Sequence, residues 1–307
     1  ESTLADAMRD AGYVTGMVGK WHLGLQEKFN PINRGFDEFF GIVSATSDYI
    51  DPTKDNVKVW IPVYEGYETP KPSERAVWKG RGNRPVMRGT TQVEEDEYLT
   101  EAFTREAVDF INKHRDRSFF LYLPYLAAHG PLQVTQKYYD RFPHLTDDSS
   151  RIQAAMISAL DDSIGVVLDT LAKNGLDDNT VIFFLSDNGG GVAEYTSNDP
   201  LRLGKQTMFE GGVRVPFAMK WPDRIPGGVS FDHPVSSLDV FPTAIVSAGG
   251  QLGDHLNLDG VNLIPYLIDL QNIPPHEKLF WRAGSIWAVR EENWKLIFAA
   301  DRYWLYD

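Results

Sequence analysis

The sequence predicts an α/β fold: a sheet with helices on both faces, followed by a small antiparallel appendage at the C-terminal end. Three observations carry that prediction. Short apolar runs of strand length alternate with longer amphipathic runs of helical period as far as Ala248. The tail from Lys278 to Asp307 reads instead as three short strands with a turn at Glu291-Glu292-Asn293. Several of the earlier strands stop abruptly at polar, glycine-rich ends, which is where open α/β sheets gather their chemistry.

Taken in order, Ser2 or Thr3 can cap a short helix to Ala11, with Leu4, Ala7, Met8 and Ala11 at helical spacing and Gly12 as its stop. Tyr13–Val18 is a strand that ends in Gly19-Lys20-Trp21-His22-Leu23-Gly24. Arg34–Gly41 reads as an aromatic loop with glycine punctuation. From Asp51 to Glu95 no period survives, and Trp60, Tyr64, Tyr67 and Trp78 there either rim a sugar-binding cleft or pin the loop to the core. Glu97–His114 is a helix with Phe103, Ala107, Phe110 and Ile111 on one face. Ser118–Leu126 is a strand that ends in Ala127-Ala128-His129-Gly130-Pro131, and Ser149–Asn174 is a long amphipathic helix closed by Gly175. Val181–Leu185 is the expected central strand, buried on both faces, because its side chains are continuously apolar. A loop from Gly189 to Gly212, a strand over Val213–Lys220 and a helix over Leu238–Ala248 complete the α/β part.

The chain has 307 residues, 42% of them hydrophobic, enough for one large domain or for one domain with a small appendage. A net charge of −13 argues against a nucleic-acid partner, although a local basic pocket or a metal can still hold an anion. With no cysteine there is neither a disulfide nor a thiolate metal site. No apolar run approaches ~18 residues, so no membrane span is expected. The chain begins without an initiator Met and stops inside the apolar run Tyr303–Tyr306, so it is expected to be an internal piece of a longer protein.

Asp187-Asn188, at the end of Val181–Leu185, offers a carboxylate and a carboxamide oxygen side by side, hard ligands suited to Ca²⁺ or Mg²⁺. The three glycines that follow let backbone approach closely, although Asn-Gly is also a common turn pair. Lys20, His22 and His129 lie at two other strand ends, and Lys205 follows the glycines. Singly, each could be a loop or surface residue. In conjunction they suit a single chemical purpose. Cations offset the charge of a tetrahedral oxyanion held on a metal, and a histidine protonates the departing oxygen. Asp161-Asp162 is the weaker metal pair, because neighbours on a helix point about 100° apart, and it reads as solvated or interhelical.

The run Gly12–His22 resembles the second signature of the type I sulfatases. The resemblance continues through Arg34-Gly35-Phe36-Asp37, His129–Gln133, Ser186–Gly190, Lys205, Glu210–Phe217 and Asp232–Thr243, and so covers nearly the whole chain apart from Asp51–Glu95. It implies an alkaline-phosphatase-like fold, a large mixed sheet sandwiched by helices with the start of a small C-terminal antiparallel sheet. Residues 1–275 would be the catalytic domain and 276–307 part of that subdomain. It implies hydrolysis of sulfate esters, of a sulfated carbohydrate or an aryl sulfate, with Asp187 and Asn188 as metal ligands, usually for Ca²⁺. Lys20 would contact sulfate and nucleophile, and His22 would stand beside the nucleophile. His129 would be the acid for the leaving oxygen, and Lys205 would bind the sulfate and its bridging oxygen.

The chain departs from the family at the nucleophile, a formylglycine made from the Cys or Ser of a Cys/Ser-x-Pro-x-Arg motif. No such motif occurs, and Lys71-Pro72-Ser73-Glu74-Arg75 has its Pro on the wrong side of the Ser. That motif and two further metal carboxylates are expected upstream of Glu1, so this piece alone is expected to be inactive. A formylglycine-generating partner and a periplasmic or extracellular location follow from the resemblance. Two alternatives stay open: a phosphomonoester or phosphodiester hydrolase on the same scaffold, and a sulfated-glycan binding protein without catalysis.

Overall fold

The computed structural model describes residues 2–60, 80–82, 84–191, 196–253, 257–269 and 273–307. Tyr64, Tyr67, Trp78 and the Lys71–Arg75 run lie outside them. The chain divides into two compact units, Glu1–Leu176 and Asp177–Asp307.

In the first unit α1 (Leu4–Asp10) starts at Thr3, whose hydroxyl accepts from the Asp6 amide at 3.0 Å while the Asp6 carboxylate accepts from the Thr3 amide at 2.9 Å. This reciprocal cap satisfies two amides that a helix start would leave bare. There follow β1 (Val14–Lys20), β2 (Glu38–Ile42), β3 (Val57–Trp60), β4 (Val86–Arg88), β5 (Thr91–Val93), α2 (Leu99–His114), β6 (Phe119–Tyr122), β7 (Leu132–Thr135), α3 (Gln136–Tyr139) and α4 (Asp148–Lys173). Five strands form a mixed sheet in the order β5-β4-β2-β1-β6, in which β1 runs parallel to both its neighbours and the β2–β4 and β4–β5 pairs are antiparallel. β3 and β7 form a separate antiparallel pair, with Trp60 opposite Leu132.

The core of this unit lies between the sheet and its helices. Phe103 and Ala107 of α2 are fully buried, and Phe103 meets Phe40 of β2 edge-on, with ring centroids 6.2 Å apart. Gly16 is small because α2 crosses there: a Cβ would lie 2.4 Å from the Phe110 ring. A second apolar cluster is formed by Ala5, Met17, Trp21, Phe36 and Phe39. Phe103, Ala107 and Phe110 follow the helical period of α2, whereas Trp21 and Phe36 join the second cluster from the segments that flank β1 and β2.

Several expected boundaries move. Arg34–Gly41, read as a loop, ends in β2, because Phe39, Phe40 and Ile42 are buried in the sheet beside β1. Part of the stretch read as irregular forms β3, β4 and β5. The strand read over Ser118–Leu126 keeps ladder pairing only to Tyr122, just ahead of Pro124.

The second unit holds β8 (Ile182–Leu185), α5 (Glu210–Val213), β9 (Phe217–Lys220), α6 (Val240–Ser247) and α7 (Ile264–Asp269). β10 (Lys278–Ala283), β11 (Ile286–Glu291), β12 (Trp294–Ala299) and β13 (Arg302–Tyr306) close it. These last four make an antiparallel meander, one strand more than the sequence predicts. Its inner face carries Trp281, Ala288, Ile297 and Trp304, which pack on Met208 and Phe209. The expectation that Val181–Leu185 is a strand buried on both faces is corrected: β8 pairs antiparallel with β9 alone among the described residues, and Phe184 is 46% exposed. A continuous apolar run reports strand length but not the number or direction of its neighbours. The strand read over Val213–Lys220 begins only at Phe217, because Glu210–Val213 turns as α5. Among the described residues no helix is long and apolar enough to cross a membrane.

Candidate functional site

Lys20, His22 and His129 belong to the first unit and are brought to one edge of its sheet. The Lys20 amide donates to the Pro124 carbonyl at 2.8 Å, and the Trp21 amide donates to the Ile42 carbonyl at 2.8 Å. These bonds hold the end of β1 between β2 and the segment that leaves β6. Gly41 and Gly19 meet there so closely that a Cβ on Gly41 would lie 1.9 Å from the Gly19 oxygen. Trp21 is buried, its indole donates to the Phe29 carbonyl at 2.7 Å, and its ring meets Phe36 edge-on at 6.0 Å. It anchors the turn from which exposed His22 projects, with φ at 54°.

The segment after β6 carries His129. Its imidazole is exposed, and Nδ1 lies 2.8 Å from the Gly130 carbonyl oxygen. The backbone beneath is clamped from the interior. The Tyr49 hydroxyl donates to the His129 carbonyl at 2.9 Å, and the Thr46 hydroxyl donates to the Gly130 carbonyl at 2.6 Å. Buried Gln133 accepts from the Tyr49 amide at 2.7 Å and donates to Asp48 at 2.8 Å. Burial, with Tyr98 alongside, pushes the Tyr49 hydroxyl well above the usual tyrosine value, so it stays protonated and able to donate.

Asp187, Asn188 and Lys205 belong to the second unit, at and after the end of β8. The Asp187 carboxylate is exposed. The Asn188 amide nitrogen donates to the Gly189 carbonyl at 3.0 Å, so Oδ1 is the atom of that side chain able to ligate a cation. The turn is packed backbone on backbone. The Gly189 amide donates to Gly212 at 3.1 Å, and the Lys205 amide donates to Gly190 at 2.9 Å. A Cβ on Gly189 would lie 1.7 Å from the Gly211 oxygen. Two hard oxygens suit a hard cation. Among the described residues no group of three or more acids or imidazoles is placed to hold a metal ion. Asp162 of the weaker pair is exposed and accepts from Arg141, in the turn after α3, at 2.7 and 3.0 Å.

Sequence reasoning misses the groups beneath these residues. Tyr49 and Thr46 give no signal, since a hydrogen bond to a distant carbonyl leaves no local pattern, and Gln133 is marked only as the end of the run His129–Gln133. Glu210 and Lys295 do leave one. Lys295 shares the inward parity of Ile297 along β12, and it is 5% exposed. Its Nζ lies 2.5 Å from Glu210 Oε1. Burial pulls the Lys295 ammonium below the usual lysine value, and Glu210 draws it back up.

A mixed sheet flanked by helices, with a separate small antiparallel sheet, defines an alkaline-phosphatase-like α/β protein, as its solved neighbours do. The chain belongs to the sulfatase family, whose model, Sulfatase, matches residues 1–250. It is 32% identical over 304 residues to N-acetylgalactosamine-6-sulfatase of Canis lupus familiaris, covering 97% of this chain and 54% of that protein. The Homo sapiens protein of the same name is 34% identical over 273 residues, 87% of this chain and 48% of that one. The solved structure of Ps i-CgsB in complex with k-i-k-neocarrahexaose superposes with a TM-score of 0.84 at 32% identity, covering 99% of this chain and 66% of that one. The chain thus spans about half the length of the curated relatives it matches.

Proposed function

We propose that the whole protein hydrolyses sulfate esters of a carbohydrate, releasing the alcohol and sulfate. The observation that carries the reading is family membership together with Lys20, His22 and His129 at one strand-end edge. Relatives at 32% identity include an aminosugar sulfatase, a protein solved with a carrageenan oligosaccharide and an arylsulfatase, and the first two of these support a carbohydrate substrate. Residues 1–275 are taken as catalytic and 276–307 as part of a C-terminal subdomain.

The bond that breaks joins sulfur to the ester oxygen. The departing alkoxide takes a proton, and the exposed His129 imidazole is the donor. Lys205 and Lys20 bring ammonium charge to the sulfate oxygens, Lys205 also to the bridging oxygen as it gains charge. His22, beside the nucleophile, would take the proton whose loss lets the sulfate leave the formylglycine oxygen as free sulfate, and would give that proton up as water restores the nucleophile. Asp187 and Asn188 would hold Ca²⁺ or Mg²⁺ through their oxygens, and such a cation would offset sulfate charge. The attacking oxygen would come from a formylglycine on a residue outside these 307, made by a maturation enzyme. A periplasmic or extracellular location fits a polymeric sulfated substrate.

The test is an assay of the full-length, co-matured protein on N-acetylgalactosamine 6-sulfate, a neocarrageenan oligosaccharide, an aryl sulfate and an aryl phosphate. Inorganic sulfate and phosphate are read by ion chromatography. Sulfate release from a sulfated sugar is expected. Phosphate release exceeding sulfate release from every substrate, or no turnover, would overturn the reading.

A further inference from the structure

The loop that carries Asp187, Asn188 and Lys205 does not stand alone. Its last residues, Met208 and Phe209, are buried on the inner face of the β10–β13 sheet beside Ala288 and Ile297. Phe209 meets Trp304 and Tyr306 edge-on, at 6.0 and 6.1 Å. The next residue is Glu210, and Lys295 reaches it from β12 at 2.5 Å. The ammonium also lies 4.8 Å from the centre of the Trp281 ring. Arg290 and Arg214 stand 3.7 and 4.0 Å from the other Glu210 oxygen.

Immediately after Glu210 come the two glycines against which the oxygen-donor turn is built. The Gly211 amide donates to the Arg202 carbonyl at 2.9 Å, and the Gly212 carbonyl accepts from Gly189 at 3.1 Å. A Cβ on Gly211 would lie 2.0 Å from the Leu203 oxygen, and one on Gly204 would lie 2.2 Å from the Gly190 oxygen. With backbone in contact on each side, a shift of Glu210 must pass to Gly189 and to the stretch of loop that holds Lys205. Lys295 is buried and Glu210 is 29% exposed; an ion pair taken even partly out of water is a poor source of stability compared with an apolar pair of the same volume, and its better-attested use is to fix register.

We propose that Glu210 and Lys295 are positioning residues. Their ion pair sets the register of Gly211-Gly212, and through it the placing of the Asp187–Asn188 oxygens and of Lys205. The C-terminal sheet is then part of the site's scaffold. This rests on the reading of Asp187 and Asn188 as cation ligands only for its effect on metal affinity.

The test uses the full-length protein and the variants Lys295→Met, Glu210→Gln and Lys295→Arg, with Ile297→Val as a packing control in the same sheet. Hydrogen exchange of the Gly189 and Lys205 amides reads the loop directly, and Ca²⁺ titration calorimetry reads the oxygen pair. Lys295→Met and Glu210→Gln are expected to speed exchange at both amides about tenfold and to weaken Ca²⁺ binding about tenfold or more. Lys295→Arg should restore much of both, and Ile297→Val should change neither. Wild-type exchange at both amides in a folded Lys295→Met and Glu210→Gln would overturn the proposal, as would an equal effect from Ile297→Val. If the wild type binds no Ca²⁺, the metal reading fails by itself, and amide exchange decides the positioning pair.

Discussion

The hydroxyl of Tyr49, a side chain with no exposed surface, donates to the carbonyl of His129, whose imidazole is exposed, across 2.9 Å. A rigid interior group thereby fixes the backbone from which the proposed proton donor projects. Tyr49→Phe keeps the ring stacked on Tyr98 and removes only that bond. It should cost about 1 kcal/mol of stability by urea midpoint. In the full-length enzyme kcat should fall at least roughly tenfold with KM little changed, because misplacing a catalytic group impairs the transition state more than binding. A KM effect alone would assign Tyr49 to substrate binding instead.

Removal of the imidazole itself separates acid catalysis from charge stabilisation. His129→Ala should lower kcat/KM on a sugar sulfate by about 10²–10⁴, since an alkoxide needs a proton to leave. With p-nitrophenyl sulfate the leaving phenolate is stable unprotonated, and the loss should shrink to about tenfold or less. Equal losses on the two substrates would remove His129 from the role of acid.

Gly189 has no room for a side chain, because the atom in the way is the Gly211 carbonyl oxygen, part of a backbone also held by Arg202. Gly189→Ala should lower stability by about 3 kcal/mol, the upper end for overpacking. Gly165→Ala, with nothing near its Cβ, is the matched control on a helix and should be neutral or stabilising. Comparable melting temperatures for the two variants would show that the loop yields.

The candidate residues of each unit are more legible in the sequence than their support. Lys20, His22, His129, Asp187 and Asn188 stand where apolar strand runs stop, so period and punctuation point to them directly. Lys205 is picked out only in conjunction with the others, since a lysine after Leu-Gly carries no pattern of its own. β2 escapes because Gly41 and the charged Asp37-Glu38 read as loop, whereas its parallel pairing with β1 is set by distant residues. β8 and β9 are both legible as strands, but their antiparallel pairing is not, because pairing direction depends on where the chain returns after the loop. The fourth strand of the C-terminal sheet hides behind tight turns at Gly284-Ser285 and Ala300-Asp301, which are too short to announce separate reversals.

Glu106 gives the first unit an acid-sensitive link between α2 and β4. Its carboxylate accepts from Arg88 at 2.6 and 2.7 Å and from Arg105 at 3.1 Å. Burial alone would raise its pKa, but the bonds from Arg88 and Arg105 outweigh burial and hold it below the usual glutamate value. A carboxylate with a depressed folded pKa binds fewer protons folded than unfolded. Its contribution is therefore full above the unfolded value and is lost as pH falls through the folded one. Glu106→Gln should cost about 1 kcal/mol at pH 7, since Arg88 is more than half exposed and water screens the pair. The gap between variant and wild type should narrow below about pH 4 and vanish further down. At Glu38 burial likewise raises the pKa, and the bonds from Lys113 and His114 outweigh it, so that group titrates in the same direction. It is present in both proteins and cancels in the difference. Urea midpoints measured from neutral pH down through the carboxylate range check this, and a gap that stays constant across the series would show that the Glu106 bonds contribute nothing as ion pairs.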